Sequence, residues 1–276
     1  MLGTVSSVKE AVNWLAYTYL FVRMLRSPQL YGIDEEGEIQ RDSLLVQRRA
    51  DLVHTAATHL AKAGMIKYDR KTGALQANVI GKVASHYYIK HNSMSVYNEN
   101  LKPYMNIIDV LRLFALSKEF QFIPIRENEK IEIQKLIDKV PIPVKGSLDE
   151  TATKINILLQ ANISRFKLEG YDLNSDMVYV TQSAGRIFRC LFEICVKRGW
   201  AQMSETLLGA CKMVERSQWN SMTPLRQFQG IPEEVLRKIE KKEQFTWQHF
   251  YDMSAQQIGE IVKFPKMGKI IHKLVH

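Results

Sequence analysis

The side chains best suited to bind an anion lie along one predicted helix, residues 174–199. Five polar residues of this helix recur three or four positions apart and therefore share one face: Gln182, Arg186, Arg189, Glu193 and Lys197. Apolar residues such as Ile187 and Leu191 recur at core spacing on another face. An arginine presents a planar fork of N–H donors that matches the oxygens of an anion. The pattern predicts an amphipathic helix with an anion-binding face.

Three small residues, Ser183, Ala184 and Gly185, lie near the start of this polar row. Small side chains add little to a core, and a glycine costs a helix roughly 1 kcal/mol relative to alanine. We interpret them as a surface that a bulky anionic ligand approaches closely. The alternative is a solvated helix face with a glycine that serves packing alone. Residue types by themselves leave both interpretations open.

The elements that position this helix begin with a predicted winged helix, residues 1–95. Apolar periodicity predicts helices over 7–27 and 42–64. The period then changes to two over 65–77, which predicts a short hairpin, the wing. The second helix is expected to turn four side chains inward: Leu45, Leu52, Ala56 and Leu60.

A helical bundle is predicted over residues 96–218, and it contains the 174–199 helix. The other helices of this region, with one that leads into it, are expected at 79–88, 93–102, 105–117, 126–139, 149–167 and 202–218. Within the 126–139 helix, Glu127, Glu129 and Glu132 alternate with basic residues. This alternation is typical of a solvated helix face with ion pairs three or four positions apart.

The last segment, residues 219–276, is predicted to form a separate helix–loop–helix unit. Its final part, 264–270, is interpreted as a tight turn between helices, in which Gly268 leaves backbone amides free to meet a phosphate. Lys266 and Lys269 would then make a secondary contact with a nucleic-acid backbone. The alternative is a plain protein-packing unit. The fold class is therefore mainly α: winged helix, multi-helix bundle, helix–loop–helix.

Charge, hydrophobicity and cysteine spacing limit the kinds of partner and site that we expect. The net charge is +9, and the excess of basic residues lies in the first 95 and the last 104 positions, while residues 96–172 are balanced. This distribution is consistent with a nucleic-acid or acidic-protein partner. No window is long and apolar enough to span a membrane, so no membrane partner is expected. The three cysteines lack zinc-ligand spacing and are interpreted as reduced core thiols.

Motifs for catalysis are missing from the sequence. It has no G-x-x-x-x-G-K-[ST] phosphate loop, no G-x-G-x-x-G turn and no H-E-x-x-H zinc motif. None of the seven histidines has a metal-ligand spacing or a nucleophile nearby. We therefore expect no catalytic residue, no metal site and no cofactor in this chain, and no nucleotide hydrolysis by the chain alone.

Several separated runs resemble one protein family. They are AVNWL (11–15), RMLRSP (23–28), ASHYYI (84–89), KVPIPVK (139–145), KINILLQA (154–161) and PLRQF (224–228). These runs resemble the region that follows the two RecA-like motor domains in Ski-two-like RNA helicases, above all the spliceosomal ones. The resemblance covers essentially the whole chain and identifies it as a fragment without the motor domains and without a terminal immunoglobulin-like domain.

The resemblance implies roles for the predicted units. The winged helix would brace the motor domains, with the surface around Arg48 and Arg49 facing them. The 174–199 helix would be the ratchet helix along which single-stranded RNA passes. Gln182, Ser183 and Arg186 would face that RNA, and Arg189 continues their row. ATP and Mg²⁺ would be bound by the missing motor domains.

The implied parent protein is an ATP-dependent RNA helicase of the nucleus. It would unwind the U-four/U-six duplex in the 3′ to 5′ direction during pre-mRNA splicing, in contact with small nuclear RNA, its own motor domains and other spliceosomal proteins. One alternative is the equivalent region of the activating-signal cointegrator complex helicase. Another is a protein-interaction platform without RNA contact, like the catalytically silent second cassette of the splicing helicase.

Overall fold

The computed structural model describes residues 3–33, 40–241 and 247–276, and these are predominantly helical. The only regular strands in these ranges form a two-stranded hairpin. The prediction of a mainly α fold with a winged helix and a helical bundle is therefore confirmed. The limits between the predicted domains stay a prediction.

The first part of the chain forms the winged helix. Its elements are α1 (Val8–Leu15), α2 (Tyr19–Arg26), α3 (Val46–Lys62), β1 (Ile66–Tyr68), β2 (Leu75–Ala77) and α4 (Val79–His86). The two strands pair antiparallel, with Ile66 opposite Ala77, and an isolated bridge joins Ser7 to Ala74. The predicted hairpin is thus present, directly after α3.

The prediction of one helix over 7–27 was wrong, because the chain breaks into α1 and α2. Thr18 begins the second helix: its hydroxyl accepts a hydrogen bond from the Phe21 amide at 3.4 Å and donates one to the Leu15 carbonyl at 2.7 Å. Threonine competes in this way for backbone groups and favours a cap over a helix interior. Apolar periodicity continues through the break and conceals it.

The inward face of α3 agrees with the prediction at Leu45, which is buried, and at Leu60, which packs against the core, but differs between them. Val53 and Ala57 are buried, whereas Leu52 and Ala56 are exposed. Arg49, one turn before Val53, is buried too, and it fixes this register by donating to the Val12 carbonyl at 2.6 Å. A charged residue at an inward position hid the true apolar stripe from periodicity analysis.

Arg49 and its neighbour Arg48 both make contacts within the winged helix. Its guanidinium donates to the Leu44 carbonyl as well and lies 4.9 Å from the centre of the Phe21 ring. Arg48 donates to the Tyr31 carbonyl at 2.9 Å. Both arginines stabilise the winged helix, and the role predicted for the surface around them stays a prediction.

The bundle consists of long helices packed around one core. Its elements are α5 (His91–Asn100), α6 (Ile107–Ala115), α7 (Lys130–Ile137), α8 (Thr151–Ile163), α9 (Tyr171–Arg198) and α10 (Ala201–Arg216). Helix α8 is the central element, since nearly all its side chains are buried, and α9 packs against α4, α8 and α10. The same core includes Met65, Val83 and Ala84 of the winged-helix part.

A buried charge network lies where α8 and α9 meet the segment before α7. The Lys154 ammonium on α8 is fully buried and contacts the carboxylates of Glu129 and Asp176, the latter at 2.7 Å. Arg126 contacts the same two carboxylates and lies 2.9 Å from Asp176. The Pro124 carbonyl accepts a further hydrogen bond from Lys154 at 2.8 Å.

This network overturns the prediction that the glutamates near 127–132 form a solvated face. Glu129 is buried against Lys154. Glu132 accepts hydrogen bonds from the backbone amides of Glu169 and Gly170 at 2.7 and 3.1 Å, and so holds the turn that leads into α9. Only Glu127 behaves as predicted, in an exposed pair with Lys130.

The last part of the chain has a second core of its own. Its helices are α11 (Glu233–Glu240), α12 (Trp247–Asp252), α13 (Ala255–Val262) and α14 (Pro265–Val275). Buried residues of this core include Leu225, Leu236, Ile258 and Ile271. Helices α13 and α14 form the predicted hairpin.

Candidate nucleic-acid interface

Helix α9 gives the candidate interface its length and its rigidity. It runs over 28 residues, Tyr171–Arg198, which corresponds to about 42 Å at 1.5 Å per residue. Gly199 ends it in the left-handed conformation, with φ of 73°. The helix observed agrees closely with the range 174–199 predicted from the sequence.

The small residues near its middle are packed more tightly than the sequence suggested. Ala184 is fully buried and Ser183 is only 8% exposed. The expectation that these small residues add little to a core was therefore wrong for Ser183 and Ala184. Helix α9 packs against α4 as well as against α8 and α10. Its buried face is therefore wider than the apolar stripe through Ile187 and Leu191 indicates.

Gly185 lies at the edge of the exposed face. A Cβ atom added there would lie 3.3 Å from a carboxylate oxygen of Glu215, a flexible side chain on α10. The glycine therefore lets the Glu215 carboxylate approach the backbone of α9 closely. A ligand that displaces this flexible side chain would meet the backbone directly.

Arg186 is engaged by backbone carbonyls of the winged-helix part. Its Nη1 donates to the Tyr88 carbonyl at 2.6 Å and to the Tyr87 carbonyl at 3.3 Å, and its Nη2 donates to the Ser183 hydroxyl at 3.2 Å. Tyr87 and Tyr88 follow the last turn of α4, where carbonyls lack helical partners and attract a cation. The structure thus places Arg186 as a clamp between α4 and α9.

A second contact joins the same two helices. Burial and a hydrogen bond with Glu193 of α9 raise the pKa of the Tyr87 hydroxyl above its ordinary value. Arg186 and Glu193, both members of the polar row, therefore hold the end of α4. The RNA-binding roles predicted for Ser183 and Arg186 stay predictions.

Gln182 and Arg189 are the exposed members of the RNA-binding row predicted on α9. Arg189 has one carboxylate partner, Glu215, at 3.5 Å, and the two side chains are 55% and 52% exposed. An exposed pair of this length contributes little free energy. A phosphate could replace that carboxylate on the guanidinium at small cost.

The exposed face of α9 also has residues that the sequence reasoning missed. Val178 and Tyr179 are about half exposed, and Tyr171 is almost fully exposed. They precede Gln182 on the same face, at spacings of four, three and eleven positions. Their spacing from Gln182 is the sequence signal that marks these residues, whereas charge and small size do not.

The prediction for the α13–α14 hairpin needs a correction. Gly268 does not lie in a turn with free amides; it is buried inside α14, and its amide donates to the Phe264 carbonyl at 3.3 Å. A Cβ atom at this position would lie 2.2 Å from the Ala255 carbonyl oxygen, so this glycine allows α13 and α14 to cross closely. Lys266 and Lys269 are exposed, and their secondary contact stays a prediction.

Reactive chemistry has little support within the ranges described. No group of three or more metal-ligating side chains is found among those residues. All three cysteines are free and buried, and burial raises the pKa of the Cys190 thiol to about 12 and those of Cys195 and Cys211 to about 11. Such thiols stay protonated and unreactive at neutral pH. None of the helices described is long and apolar enough to cross a bilayer.

Comparison with known proteins supports the family predicted from the sequence. A family model described as the Sec63 Brl domain matches residues 77–272, and one described as a winged helix-turn-helix domain matches residues 1–62. The chain is 55% identical, over all 276 residues, to the U5 small nuclear ribonucleoprotein 200 kDa helicase of Homo sapiens. It is 53% identical, again over its full length, to the DExH-box ATP-dependent RNA helicase DExH13 of Arabidopsis thaliana.

A third relative is the pre-mRNA-splicing factor brr2 of Schizosaccharomyces pombe, 50% identical over 99% of this chain. The resemblance to spliceosomal RNA helicases is therefore confirmed. The chain spans 13% of the human and plant relatives and 12% of the yeast one, so it corresponds to a small part of each.

Proposed function

The chain belongs to the Sec63 Brl domain family, and from this premise we propose that it is the non-motor region of a spliceosomal ATP-dependent RNA helicase. In this proposal the exposed face of α9 guides and grips single-stranded RNA. The motor domains, with their ATP and Mg²⁺, lie outside this chain. The names of the relatives, which refer to RNA helicases and to splicing, support the assignment.

The observation that carries the proposal is the arrangement of α9. One side of the helix is fixed in the core of the bundle, and the other side exposes Gln182 and Arg189, with Gly185 between them. These two side chains lie seven residues apart, which is about 10 Å along the helix. A rigid and partly basic helix face of this kind can contact successive backbone groups of an extended single-stranded RNA without reading its sequence.

In this proposal the two exposed side chains hold the RNA by hydrogen bonds. The guanidinium of Arg189 exchanges its weak pair with Glu215 for a phosphate oxygen. The amide of Gln182 donates to and accepts from sugar or phosphate groups. Arg186 supports them indirectly, since it holds α9 against the end of α4.

The winged helix is proposed to brace the motor domains. Large apolar side chains on α1, α2 and the segment between them are exposed, among them Trp14, Tyr17 and Tyr19. An exposed apolar surface of this kind is typical of a protein contact. The surface around Arg48 and Arg49 is the less favoured contact, because Arg49 is buried and Arg48 is half-buried.

The finer assignment is proposed on the same basis. The parent protein acts in the nucleus on the U-four/U-six duplex, moves in the 3′ to 5′ direction and contacts other spliceosomal proteins. The equivalent region of the activating-signal cointegrator helicase is the less favoured alternative, because the names of the human and the Schizosaccharomyces pombe relatives refer to a small nuclear ribonucleoprotein and to pre-mRNA splicing. A protein platform without RNA contact is tested by the experiment below.

The test uses Arg189→Gln in a full-length helicase that contains this region. We expect duplex unwinding to fall about tenfold, the effect of losing roughly 1.4 kcal/mol from a charge-assisted hydrogen bond. ATP hydrolysis should change much less, because the motor is intact. Both rates are measured on the same duplex with a single-stranded 3′ extension.

The matched control is Arg237→Gln, which removes the same charge from α11. Arg237 is 70% exposed and pairs only with Glu233 of its own helix among the contacts described. We expect no change in unwinding for this variant. Equal unwinding rates for Arg189→Gln and the unaltered helicase would contradict the proposal and favour the protein platform.

A further inference from the structure

Two adjoining clefts lie along α10 and together form one groove, the α10 groove. The first cleft has a volume of about 630 Å³, and its apolar lining consists of Ile107, Pro141, Ile142, Met213, Trp219 and Met222. The second has a volume of about 410 Å³ and shares Trp219, Asn220 and Met222 with the first. Its other polar side chains are Lys212, Arg216, Gln218 and Gln227. The α10 groove therefore has an apolar part and a basic part.

We propose that the α10 groove docks a short extended peptide of another protein, in which carboxylates lie close to a large apolar residue. The apolar side chain occupies the first cleft, and the carboxylates contact Lys212 and Arg216 in the second. Protein interfaces commonly combine an apolar centre with a polar rim in this way. The docking site is separate from the α9 face that is proposed to grip RNA, and it does not depend on that proposal.

Lys212 and Arg216 are the groups that recognise the carboxylates. Both are exposed, and they lie four positions apart on α10, a spacing at which like charges repel each other. Neither has a carboxylate partner within the described ranges. The end of α10 does not occupy them, because Arg165 donates to the carbonyls of Arg216 and Ser217, both at 3.0 Å. The two cations are therefore available to an anionic partner.

The nearby carboxylates are engaged by other arginines. Glu215, next to Arg216 in the chain, contacts Arg189 of α9 at 3.5 Å. Glu240 contacts Arg226 at 2.7 Å. No carboxylate is part of the lining described for the second cleft. The charge of this cleft is therefore complementary to that of an acidic peptide.

The spacing along α10 sets the length and the direction of the peptide. Glu205 is the charged residue in the lining described for the first cleft. It precedes Lys212 by seven positions and Arg216 by eleven, which corresponds to about 10 and 16 Å along the helix. An extended peptide rises about 3.3 Å per residue, so about five residues span this length. Since Glu205 repels a carboxylate, the acidic end of the peptide lies over the two cations.

The walls of the α10 groove are fixed before any partner binds. The side chain of Gln160, which is fully buried, donates to the Ile142 carbonyl and accepts from the Ile142 amide, both at 3.0 Å. This pair of hydrogen bonds holds the 139–145 run against α8. The Trp219 indole N–H donates to the Ser164 hydroxyl at 2.9 Å. A preformed groove reduces the entropy that is lost on binding.

The lining favours a peptide over single-stranded RNA. Proteins hold such RNA largely by stacking its bases on exposed aromatic rings. Trp219, the aromatic residue of the α10 groove, is only 6% exposed, so its ring offers no stacking face. The exposed Asn220 carries an amide group, which can donate to and accept from a peptide backbone.

The experiment selects binders from a display library of random twelve-residue peptides on the 276-residue chain. We expect enrichment of peptides with two or more carboxylates within about five positions of a large apolar residue. These peptides are then synthesised with fluorescein, and their affinities are measured by anisotropy. Replacing both cations, by Lys212→Gln and Arg216→Gln, should weaken binding about five- to tenfold, because two charged contacts are lost. Ser221→Trp should abolish binding, because the indole fills the first cleft.

Matched controls make the same changes elsewhere. Lys62→Gln with Lys67→Gln removes two exposed charges from the winged-helix part, and Ser43→Trp places an indole in another exposed turn. We expect each control to alter peptide affinity less than twofold. A peptide whose carboxylates are replaced by amides should bind the unaltered chain as weakly as the double variant binds the original. Melting temperatures of all variants are measured, so that loss of folding is recognised.

Three results would overturn the inference. The first is a selection without enrichment of acidic, apolar peptides, and the second is unchanged affinity in both groove variants. The third is weaker binding of fluorescein-labelled oligouridine by the double variant while peptide affinity is unchanged, which would assign the groove to nucleic acid. Arg189→Gln is measured with both probes. Loss of oligouridine binding in Arg189→Gln, with no effect of the groove variants on peptides, would remove this inference and leave the proposed function standing; the converse would remove the proposed function alone.

Discussion

Arg186 and Arg189 lie one turn apart on α9, yet their guanidinium groups have different kinds of partner. Arg186 donates to two carbonyls after α4 and to a hydroxyl. Arg189 has only an exposed carboxylate at 3.5 Å among its described contacts. The first arrangement stabilises the fold, and the second leaves a cation available to a ligand.

This difference predicts unequal losses of stability when each arginine is replaced by glutamine. Arg186→Gln should lower the free energy of unfolding by about 2 kcal/mol, because hydrogen bonds from a charged donor are lost. Arg189→Gln should change it by less than about 0.5 kcal/mol, as is usual for an exposed pair. Urea unfolding of both variants measures this. An equal loss for the two arginines would show that Arg186 is not a clamp.

The fully buried Lys154 gives a second prediction at the residue scale. In Lys154→Met, Arg126 is the remaining cation that contacts the carboxylates of Glu129 and Asp176. The Glu129 carboxylate is buried. Breaking a buried pair from one side typically costs about 3 kcal/mol or more. We expect a loss of this size in urea unfolding.

Lys130→Met is the matched control for that substitution. Lys130 also contacts two carboxylates, Glu127 and Asp149, both at 2.7 Å, but these carboxylates are 87% and 71% exposed. The expected loss is below about 1 kcal/mol. Similar losses for the two lysines would mean that burial does not govern the strength of the network.

The network also shows what sequence reasoning cannot reach. Lys154 contacts residues 22 and 25 positions away, and nothing in the local pattern of α8 indicates which acidic side chains fold onto it. Arg49 poses the same difficulty within α3. Polar residues at inward positions become predictable only once their distant partners are known.

At the scale of elements, two helical glycines illustrate opposite uses of the same residue. At Gly268 an added Cβ would lie 2.2 Å from the Ala255 carbonyl oxygen and 2.6 Å from the Gly259 Cα atom. Both are backbone atoms of α13. At Gly185 the nearest atom would be the end of the Glu215 side chain. One glycine is required by packing, and the other is not.

We therefore predict opposite signs for the two alanine substitutions. Gly268→Ala should force α13 and α14 apart and lower the free energy of unfolding of this hairpin by about 3 kcal/mol. Gly185→Ala should raise stability by up to about 1 kcal/mol, because alanine is the better helix former. Thermal unfolding followed by circular dichroism distinguishes them. Destabilisation by Gly185→Ala would show that the close approach of Glu215 to this glycine is required by packing.

Most elements could be predicted from the sequence, because apolar periodicity indicates where helices run. The wing was found from the change of period after α3, and α9 from its spacing. The break at Thr18 could not be seen, since a cap replaces helical hydrogen bonds without interrupting the apolar pattern. The turn assigned to Gly268 failed for a related reason: glycine is typical both of turns and of close helix crossings.

At the scale of the whole molecule, the winged-helix part and the bundle share one core. Met65, Val83 and Ala84 pack with the bundle residues, and Arg186 joins α4 to α9. The candidate RNA-binding face of α9 is therefore coupled physically to the part that is proposed to brace the motor. The helices after residue 224 have a separate core, so changes there should leave α9 undisturbed.

The absence of nucleotide-binding motifs leads to a prediction for the chain as a whole. ATP hydrolysis by a helicase requires a phosphate-binding loop and acidic side chains that hold Mg²⁺, and the sequence has no G-x-x-x-x-G-K-[ST] run. We expect the 276-residue chain to release no phosphate from ATP, with or without single-stranded RNA. Phosphate release is measured against a full-length relative as positive control. RNA-stimulated turnover that persists after repurification would mean that the chain contains a motor, and the assignment of α9 as a passive guide would have to be abandoned.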